Sequence, residues 1–438
     1  MCIRVHRDRN LFGERPVCLL NIRATDFQDK SARLTTSAFP GRKGLTRMIS
    51  TLDRSTRRLY VLFLLGFATF GVIFTIIGAA LPQIIRTFQW SYTLTGAVLA
   101  MSAVGYFVST FVCGILTQRL PPKWILSTGL FLGAVAMSLF VRWPSPWLNL
   151  VLNFCIGLCQ GAVEVVTNLE VIHMEKRGQS RLMNLMHSAF CVGGIVGPAA
   201  VGYFLGTGAG GRVAFAAAAG LLALMALLFG TFRFPAIRQA EARRDSHGAR
   251  VMLQPLVILV TLLLLLYVGA ELGVSTWISE YFVRVHGTAA SMGAFAVSIF
   301  WIGLLAGRLT LSVAYQGSRQ EYIVLGLALL SAAALGVILL VTSTSAVAFG
   351  VFLTGLGFSG IYPLLLVVVG RYHRSGMAVG TVTTGGGVGS FTFPFLMAVL
   401  AQRLGMRGGF WFYLGLSCVI AMLSVVLIAA VRRRSAAS

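Results

Sequence analysis

The sequence predicts an all-α membrane protein of about twelve transmembrane helices, arranged as two related sets of six. Of the 438 residues, 57% are hydrophobic and only 11% are charged, whereas a soluble domain carries roughly 25% charged residues. Apolar runs of spanning length recur along the chain, and the glycine and proline pattern of the first six reappears in the second six. A chain with so much apolar surface requires lipid around much of it.

The predicted spans are each close to the ~20 residues that cross ~30 Å of hydrocarbon. They lie at 60–82, 94–116, 123–141, 147–171, 182–205 and 213–233, and then at 255–279, 289–308, 321–341, 345–370, 376–400 and 410–431. The chain thereby divides into a basic, disordered N-terminal tail (1–58), a first bundle (59–234), a central cytoplasmic loop (235–254), a second bundle (255–431) and a basic C-terminal tail (432–438). The N-terminal tail lacks the apolar run of a signal peptide. A more usual lead-in begins at Met48, so residues 1–47 are expected to be dispensable.

The basic residues behind the net charge of +23 lie between apolar runs, whereas a nucleic-acid binder clusters them on one face. With the N-terminus in the cytoplasm, the inner loops and C-terminal tail hold Arg119, Lys123, Lys176, Arg177, Arg181, Arg233, Arg238, Arg243, Arg244, Arg250, Arg308, Arg319, Arg371, Arg374, Arg432, Arg433 and Arg434. The outer loops hold Arg86, Arg142, Arg212, Arg284, Arg403 and Arg407. This bias predicts insertion in the inner (plasma) membrane with both termini in the cytoplasm, an even number of spans and no nucleic-acid partner.

Small residues in the two sets of spans correspond at an offset of about half the core, as parallel repeats of six helices would give. The matching groups are Gly157 and Gly161 with Gly355 and Gly360, and Gly193, Gly194 and Pro198 with Gly385, Gly386, Gly387 and Pro394. Glycine alone is common in membrane helices as a packing residue. The shared offset is what indicates a repeat.

Two carboxylates inside spans are the sharpest functional signal. The chain has 13 acidic residues, most of them in tails or loops, but Glu164 and Glu271 lie well within the fourth and seventh spans. A carboxylate at that depth costs at least a few kcal/mol, so it must face a cavity, find a partner or hold a proton. We interpret both as proton-coupling residues. The alternative is a packing carboxyl hydrogen-bonded to a neighbouring helix.

Polar side chains accompany both carboxylates at helical spacing. Gln160, Glu164 and Asn168 lie four residues apart and share a face, which suits a polyhydroxylated ligand such as a sugar, although hydrogen bonding between helices explains them equally well. In the seventh span, Tyr267 shares a face with Glu271. Trp277 is interpreted as stacking on a sugar ring or as an interfacial aromatic residue.

Three further residues deserve an interpretation. His187 in the fifth span is a proton relay or, more commonly, a packing residue. Arg308 is placed at the cytoplasmic edge of the eighth span, where it snorkels or pairs between helices. Tyr362 beside Pro363 in the tenth span completes the predicted solute-binding set.

Nothing in the sequence points to an enzyme or to a cofactor. The 7 cysteines form no CxxC pair, which argues against a disulfide framework or a zinc site. No P-loop, HExxH or GxSxG motif occurs. Without a nucleotide-binding motif, the energy for transport must come from an ion gradient or from the substrate's own gradient.

The span from about residue 60 to residue 431 resembles the major facilitator superfamily, and within it the fucose permease group of sugar–proton symporters. The segments that carry the resemblance are Gly161-Ala-Val-Glu164, Thr167-Asn168, Arg181-Leu-Met-Asn184-Leu, Tyr267-Val268-Gly269-Ala270 and Tyr362-Pro363. The resemblance implies the major facilitator fold, and it matches Glu164 to the group's protonatable carboxylate. Where fucose permease has an aspartate in its first helix this chain has Gly78, and where fucose permease has a glutamine it has Glu271.

These observations together predict a monomeric secondary transporter of a small polar solute, expected to be a sugar or sugar derivative, that works by proton-coupled alternating access. Glu164 and Glu271 are the predicted proton-coupling residues. The predicted solute-binding residues are Gln160, Asn168, Tyr267, Trp277 and Tyr362. Two alternatives remain open, a polyspecific exporter of hydrophobic or cationic compounds and a non-transporting membrane sensor.

Overall fold

The computed structural model describes residues 53–174, 181–232, 234, 249–314, 319–372 and 376–437. Within these ranges the regular structure is helical throughout. The predicted N-terminal tail, the central loop and the interpretation of residues 1–47 lie wholly or mostly outside the described residues. Where the predicted tails are described, they are helical, because the first helix already begins at Arg54 and the last continues to Ala437.

The first six spans follow in chain order with short connections. Span 1 is Arg54–Ala79, span 2 Tyr92–Leu116, span 3 Pro122–Leu139, span 4 Pro146–Met174, span 5 Arg181–Gly206 and span 6 Gly211–Thr231. A short helix, Leu81–Phe88, follows span 1. Asp53 caps span 1 by accepting hydrogen bonds from the backbone of Ser55 and Thr56. The bonds from Thr56 lower the pKa of this exposed carboxyl below its ordinary value.

The second six spans repeat this organisation. A 3-10 turn, Ala249–Leu253, precedes span 7 (Pro255–His286), span 8 (Ala290–Ala314) and span 9 (Gln320–Leu340). Span 10 consists of two helices, Thr344–Phe358 and Ile361–Tyr372. The remaining helix, Gly376–Ala437, contains one non-helical residue, Gly405, with φ 75°.

Gly405 divides this last helix into two crossings. By length and composition, 11 helices of the described chain can cross a membrane, and the last of these runs over 58 residues. At about 1.5 Å per residue it would extend far beyond ~30 Å of hydrocarbon if it crossed once. We therefore assign spans 11 and 12 to the two sides of Gly405, and the predicted fold of twelve transmembrane helices is confirmed.

Helix packing follows the same scheme in both halves. Span 1 packs on span 5, span 2 on span 4 and span 3 on span 6, and the second half repeats these pairings as 7 with 11, 8 with 10 and 9 with 12. The halves meet where span 2 packs on span 11 and span 5 packs on span 8. Because exchanging the halves turns span 2 into span 8 and span 11 into span 5, one contact becomes the other, and the interface has the symmetry expected of a duplicated bundle.

Glycines allow the closest of these pairings. Gly105 and Gly157 bring the backbones of spans 2 and 4 together, and a Cβ on either would overlap a carbonyl oxygen of the facing helix. Gly303 and Gly355 do the same for spans 8 and 10. The second pair follows the first at one constant offset along the chain. The predicted repeat thus has a physical basis, since small residues let membrane helices approach closely.

Replacing Gly157 by alanine is expected to destabilise the bundle by about 1–3 kcal/mol, the usual cost of overpacking. The added Cβ would meet the carbonyl oxygen of Ser102, which belongs to a rigid backbone. The matched control is Gly220→Ala in span 6, where no heavy atom lies within 4 Å of the new Cβ. Thermal unfolding in detergent measures both, and an equal unfolding temperature for the two variants would contradict the packing role of Gly157.

Candidate functional site

A cavity of about 760 Å³ lies between the two halves. Its described lining comes from spans 1, 2, 4 and 5 of the first half and from spans 7, 8, 10 and 11 of the second. Within the described chain, spans 3, 6, 9 and 12 contribute no lining residue and pack behind the others. The cavity therefore lies on the axis that relates the two halves.

One end of the cavity is closed by hydrogen bonds between the halves. Ser279 Oγ donates to the carbonyl oxygen of Ala79 at 3.0 Å. The backbone N–H of Tyr92 donates to Gln402 Oε1 at 2.8 Å. These bonds join the end of span 1 to span 7 and the start of span 2 to span 11. We call this side of the bundle the closed end.

A buried carboxylate strengthens the closed end. Glu280 is 1% exposed, and its Oε1 accepts from the Tyr92 hydroxyl of the other half at 3.1 Å and from Arg284 Nε at 2.8 Å. The Tyr92 ring also contacts the Trp277 ring, with centroids 6.0 Å apart. Glu280 and Arg284 lie in the last two turns of span 7, beyond the predicted end of that span at residue 279.

The opposite end of the cavity is less enclosed. Phe111 of span 2 and Gly380 and Thr384 of span 11 line the cavity there and are exposed. Span 1 begins on this side, so this open end is the one next to Asp53. The described residues of the two halves are thus hydrogen-bonded at one end of the cavity, while the lining of the other end includes exposed residues.

Hydroxyl groups of span 2 hold the polar face of span 4. The Tyr106 hydroxyl donates to Glu164 Oε2 at 2.6 Å, and one turn away Ser102 Oγ donates to Gln160 Oε1 at 3.1 Å. Both pairs form because Gly105 and Gly157 bring the two helices together. Glu164 and Gln160 line the cavity as predicted from their spacing.

Two amide oxygens in the cavity wall have no hydrogen-bond partner among the described residues. They are Oδ1 of Asn168 and Oδ1 of Asn153, both buried. Asn153 uses its amide nitrogen to donate to the carbonyl oxygen of Val98 at 2.6 Å. A buried acceptor without a donor costs about 1–3 kcal/mol. Both side chains line the cavity, but they lie about 22 Å apart along span 4, so a small hydroxyl-bearing molecule could supply a donor to one of them at a time.

The second half contributes charged groups. Glu271 is 6% exposed and lines the cavity. The groups that act on its carboxyl are the Arg308 guanidinium and the Tyr267 hydroxyl. Tyr362 also lines the cavity between the halves. The charges of Glu164, Glu271 and Arg308 all act on its hydroxyl. The two predicted proton-coupling residues therefore belong to one site.

Span 8 continues past Arg308 to Ala314, beyond the predicted end of that span. Arg308 lines the cavity and pairs between helices, which is one of its two predicted roles. Its Nε donates to the carbonyl oxygen of Ser359 at 3.3 Å, and its Nη1 lies 3.4 Å from Cys191 Sγ. Ser359 follows the last residue of the first helix of span 10. Orphan carbonyl oxygens and the negative end of the helix dipole meet the cation there.

The break in span 10 has a cause in the sequence. Pro363 has no backbone N–H, so it cannot bond to the carbonyl oxygen four residues earlier, which is that of Ser359. The neighbouring carbonyl oxygen of Phe358 accepts from the Tyr267 hydroxyl at 2.8 Å. Two carbonyl oxygens released by the break thus hold Arg308 and Tyr267 in place.

Aromatic rings form one wall of the cavity. Phe67, Phe70, Phe74 and Phe190 from spans 1 and 5 line the cavity, and neighbouring rings pack edge-on at centroid distances of 4.8 to 6.4 Å. His187 lies at one edge of this aromatic wall, 5.2 Å from the Phe67 ring. The cavity therefore has one apolar wall and one polar wall.

Two predicted solute-binding residues lie behind the cavity wall. Tyr267 is fully buried at the junction of spans 7 and 10. Trp277 is fully buried and donates to the carbonyl oxygen of Pro394 at 3.2 Å. Neither lines the cavity, whereas Gln160, Asn168 and Tyr362 do.

Gly78 occupies the position where the resembling group has an acid, and it lines the cavity. A Cβ there would lie 3.1 Å from the Cα and carbonyl oxygen of Thr276. Span 7 therefore leaves little room for a side chain at this position. The carboxyl of Glu271 reaches the same cavity from that span.

Sequence reasoning did not assign Tyr106 or Asn153 to the site. A tyrosine inside an apolar run resembles a packing residue, and the only available signal was its position four residues after Ser102 on one face. Among the described residues, no group of three His, Cys, Asp or Glu side chains is placed so that it could hold a metal ion. The chemistry of the site is that of hydrogen bonding and charge.

Comparisons with known proteins agree with this architecture. The family model described as Major Facilitator Superfamily matches residues 62–373. An uncharacterized MFS-type transporter of Yersinia pestis is 24% identical over 314 residues, which are 70% of this chain and 79% of the relative.

Two solved structures share the fold. A variant of the nucleoside transporter NupG superposes with a TM-score of 0.71 at 14% identity, over 84% of this chain and 98% of that one. The MFS transporter FucP in the outward conformation gives a TM-score of 0.59 at 18% identity, over 85% of this chain and 99% of that one.

Replacing Tyr92 by phenylalanine should loosen the closed end, because it removes the hydroxyl that bonds to Glu280 across the halves. This hydrogen bond should contribute about 1 kcal/mol to keeping the end closed. Its loss should therefore raise the fraction of molecules whose halves are separated at this end about five-fold. Spin labels at the exposed positions Thr87 and Arg403, in a background without the native cysteines, measure that separation. Tyr203→Phe, at a residue that is 63% exposed, is the control. Identical distance distributions in the two variants would contradict the role of the Tyr92 hydroxyl.

Proposed function

The chain belongs to the Major Facilitator Superfamily, and on that basis we propose that it is a proton-coupled secondary transporter of a small polar solute, a sugar or sugar derivative. The family and the transporter relatives indicate a protein that carries small-molecule solutes across a membrane, and not an enzyme. The observation that carries the proposal is the central cavity, whose lining includes two intramembrane carboxyls and the Asn168 amide oxygen, which has no hydrogen-bond partner among the described residues.

Alternating access supplies the transport step. The two halves rock about the cavity, so that the hydrogen bonds of the closed end break when the other end closes. We place both termini in the cytoplasm of a cell whose inner membrane holds the protein, following the distribution of basic residues. The cavity of this structure then opens towards the cytoplasm.

Glu164 is the proposed proton carrier of the first half. Its hydrogen-bond partner, Tyr106, is a neutral hydroxyl, and among the described residues no cation lies within ion-pair distance of it. A charge without a counter-charge is expensive inside a membrane, so the carboxyl holds a proton whenever water leaves the cavity. Glu271 takes the second acidic role from span 7.

The polar wall supports a hydroxylated solute. Among the described residues, Oδ1 of Asn168 lacks a donor, and Gln160 lies about two turns away on the same face of span 4. Sugar hydroxyls donate and accept in this way, while the C–H face of a ring packs on aromatic side chains such as Phe70 and Phe190. The likeness to a nucleoside transporter and to FucP supports the same solute class.

A second candidate function is export of apolar or cationic compounds, and the aromatic wall favours it. Four phenylalanine rings give a surface on which such compounds pack, and two carboxyls could serve as counter-charges. Proton-driven efflux of ethidium from vesicles, absent in Glu164→Gln, would favour this function over solute import.

Glu164→Gln is expected to abolish proton-driven accumulation while exchange across the membrane persists. The measurement is uptake of labelled fucose, glucose, glucuronate and uridine into proteoliposomes with and without a proton gradient. In the parent protein the gradient should raise the internal concentration of at least one of them about ten-fold or more. In the variant the internal and external concentrations should become equal.

Glu170→Gln is the matched control for this experiment. Glu170 lies in the same span and is 9% exposed, but it does not line the cavity. Unchanged accumulation in the control is expected. Parent-like accumulation in Glu164→Gln would overturn the coupling role, and gradient-independent distribution of all four compounds in the parent would overturn the proposed function.

Glu271→Gln should impair gradient-driven uptake as severely as Glu164→Gln, since the two carboxyls share one cavity. Glu321→Gln is the control in the second half, because Glu321 is 4% exposed and lies in span 9 outside the cavity. Full uptake in Glu271→Gln would reduce Glu271 to a packing residue.

A further inference from the structure

Arg308 has donor groups that the protein does not use. A guanidinium carries five N–H groups, and the described contacts of Arg308 are one bond from Nε to Ser359 and one contact from Nη1 to Cys191. Arg308 lines the cavity, and these contacts leave N–H groups on Nη1 and Nη2 unused. Two N–H groups on neighbouring nitrogens form an edge with the fork geometry that suits a carboxylate.

No protein carboxylate occupies this edge. Among the described residues the recorded ion pair within 4.0 Å joins Arg284 to Glu280, at the closed end. Glu271 acts on Arg308 through its charge but is not within that distance. An arginine inside a membrane bundle is costly and is usually found with a partner. Arg308 thus lines the cavity without a carboxylate partner within 4.0 Å among the described residues.

The charges of the cavity change sign with proton loading. The groups that face Arg308 are Glu271 and Tyr267 from span 7, Cys191 and His187 from span 5, and Tyr362 from span 10. When Glu164 and Glu271 are protonated and the other groups are neutral, the cavity has a net charge of one positive unit, which comes from Arg308. With both carboxyls ionised the cavity is negative and repels anions.

We propose that Arg308 binds a carboxylate of the solute, so that the substrates are sugar acids, hydroxylated rings that carry one carboxylate. This inference rests on the proposed function and narrows it. Proton loading prepares the positive cavity that an anion requires, and the bound anion in turn favours the protonated carboxyls. A phosphate ester carries about two negative charges at neutral pH, more than the one cation neutralises, so a carboxylate fits better.

The test is proton-driven uptake of labelled glucuronate, glucose and glucose 6-phosphate, three probes that differ at one ring substituent. In the parent protein, glucuronate uptake should exceed uptake of each other probe at least ten-fold. Arg308→Gln should remove that preference, and Arg308→Lys should retain part of it. Arg86→Gln, at an exposed residue outside the cavity, should leave the preference unchanged.

A double variant distinguishes solute binding from balancing the charge of Glu271. If Arg308 only neutralises Glu271, then Glu271→Gln with Arg308→Gln should bind glucuronate as the parent does, and that outcome would overturn the proposal. A measurement on the parent alone avoids misfolded variants, because glucuronate should raise its unfolding temperature in detergent at a concentration where glucose does not.

Three further outcomes are decisive. Equal uptake of glucose and glucuronate by the parent would refute the role of Arg308 while leaving sugar transport intact. A preference for glucose 6-phosphate would show that Arg308 binds a phosphate group, and it would refute the proposal that Arg308 binds a carboxylate. If none of the three probes accumulates or stabilises the parent, the proposal of a sugar-acid substrate is refuted. The uptake measurements with fucose and uridine would then decide whether the proposed function holds.

Discussion

Where Gly105 and Gly157 meet the facing backbone, spans 2 and 4 lie too close for a side chain to intervene. This approach fixes the two rows of polar groups relative to one another, and the bonds of Tyr106 to Glu164 and of Ser102 to Gln160 follow from it. In lipid such packing must hold helices together without a hydrophobic driving force between them. The same contact therefore stabilises the bundle and positions the carboxyl at the cavity.

The two halves share a backbone plan but differ in the chemistry they present. In the first half, the polar lining consists of neutral hydrogen-bonding groups around Glu164, backed by the aromatic wall. In the second half, Glu271 and Arg308 contribute opposite charges without forming an ion pair within 4.0 Å. Duplication thus provides the cavity, and divergence of the lining gives the two halves different chemistry. A solute that contacts lining residues of both halves would bridge them.

Composition and spacing predicted the number of spans and the polar face of span 4, since both depend on averages over many residues. Span ends were less predictable. Span 7 continues to His286, and within its last turns the buried Glu280 pairs with the exposed Arg284, whereas hydropathy assigns such residues to a loop. Spans 11 and 12 run on through Gly405 without a polar loop between them.

The site was predicted in part. Spacing placed Gln160, Glu164 and Asn168 together, because residues four apart share a helix face. Trp277 lies six residues after Glu271, about 240° further round a helix, and the structure buries it against Pro394. Whether Asn153 and Arg308 line the cavity depends on how far each helix is rotated about its own axis. Rotation is decided by contacts with neighbouring helices, which a single sequence does not contain.

Pro363 shows how a residue without a polar side chain determines where a charge resides. Its missing N–H leaves the carbonyl oxygen of Ser359 to accept from Arg308. Any other residue at this position would restore an internal donor and let the helix compete with the guanidinium for that oxygen. In a comparison of related sequences, loss of this proline would therefore signal an altered electrostatic environment even where every ionisable residue is retained.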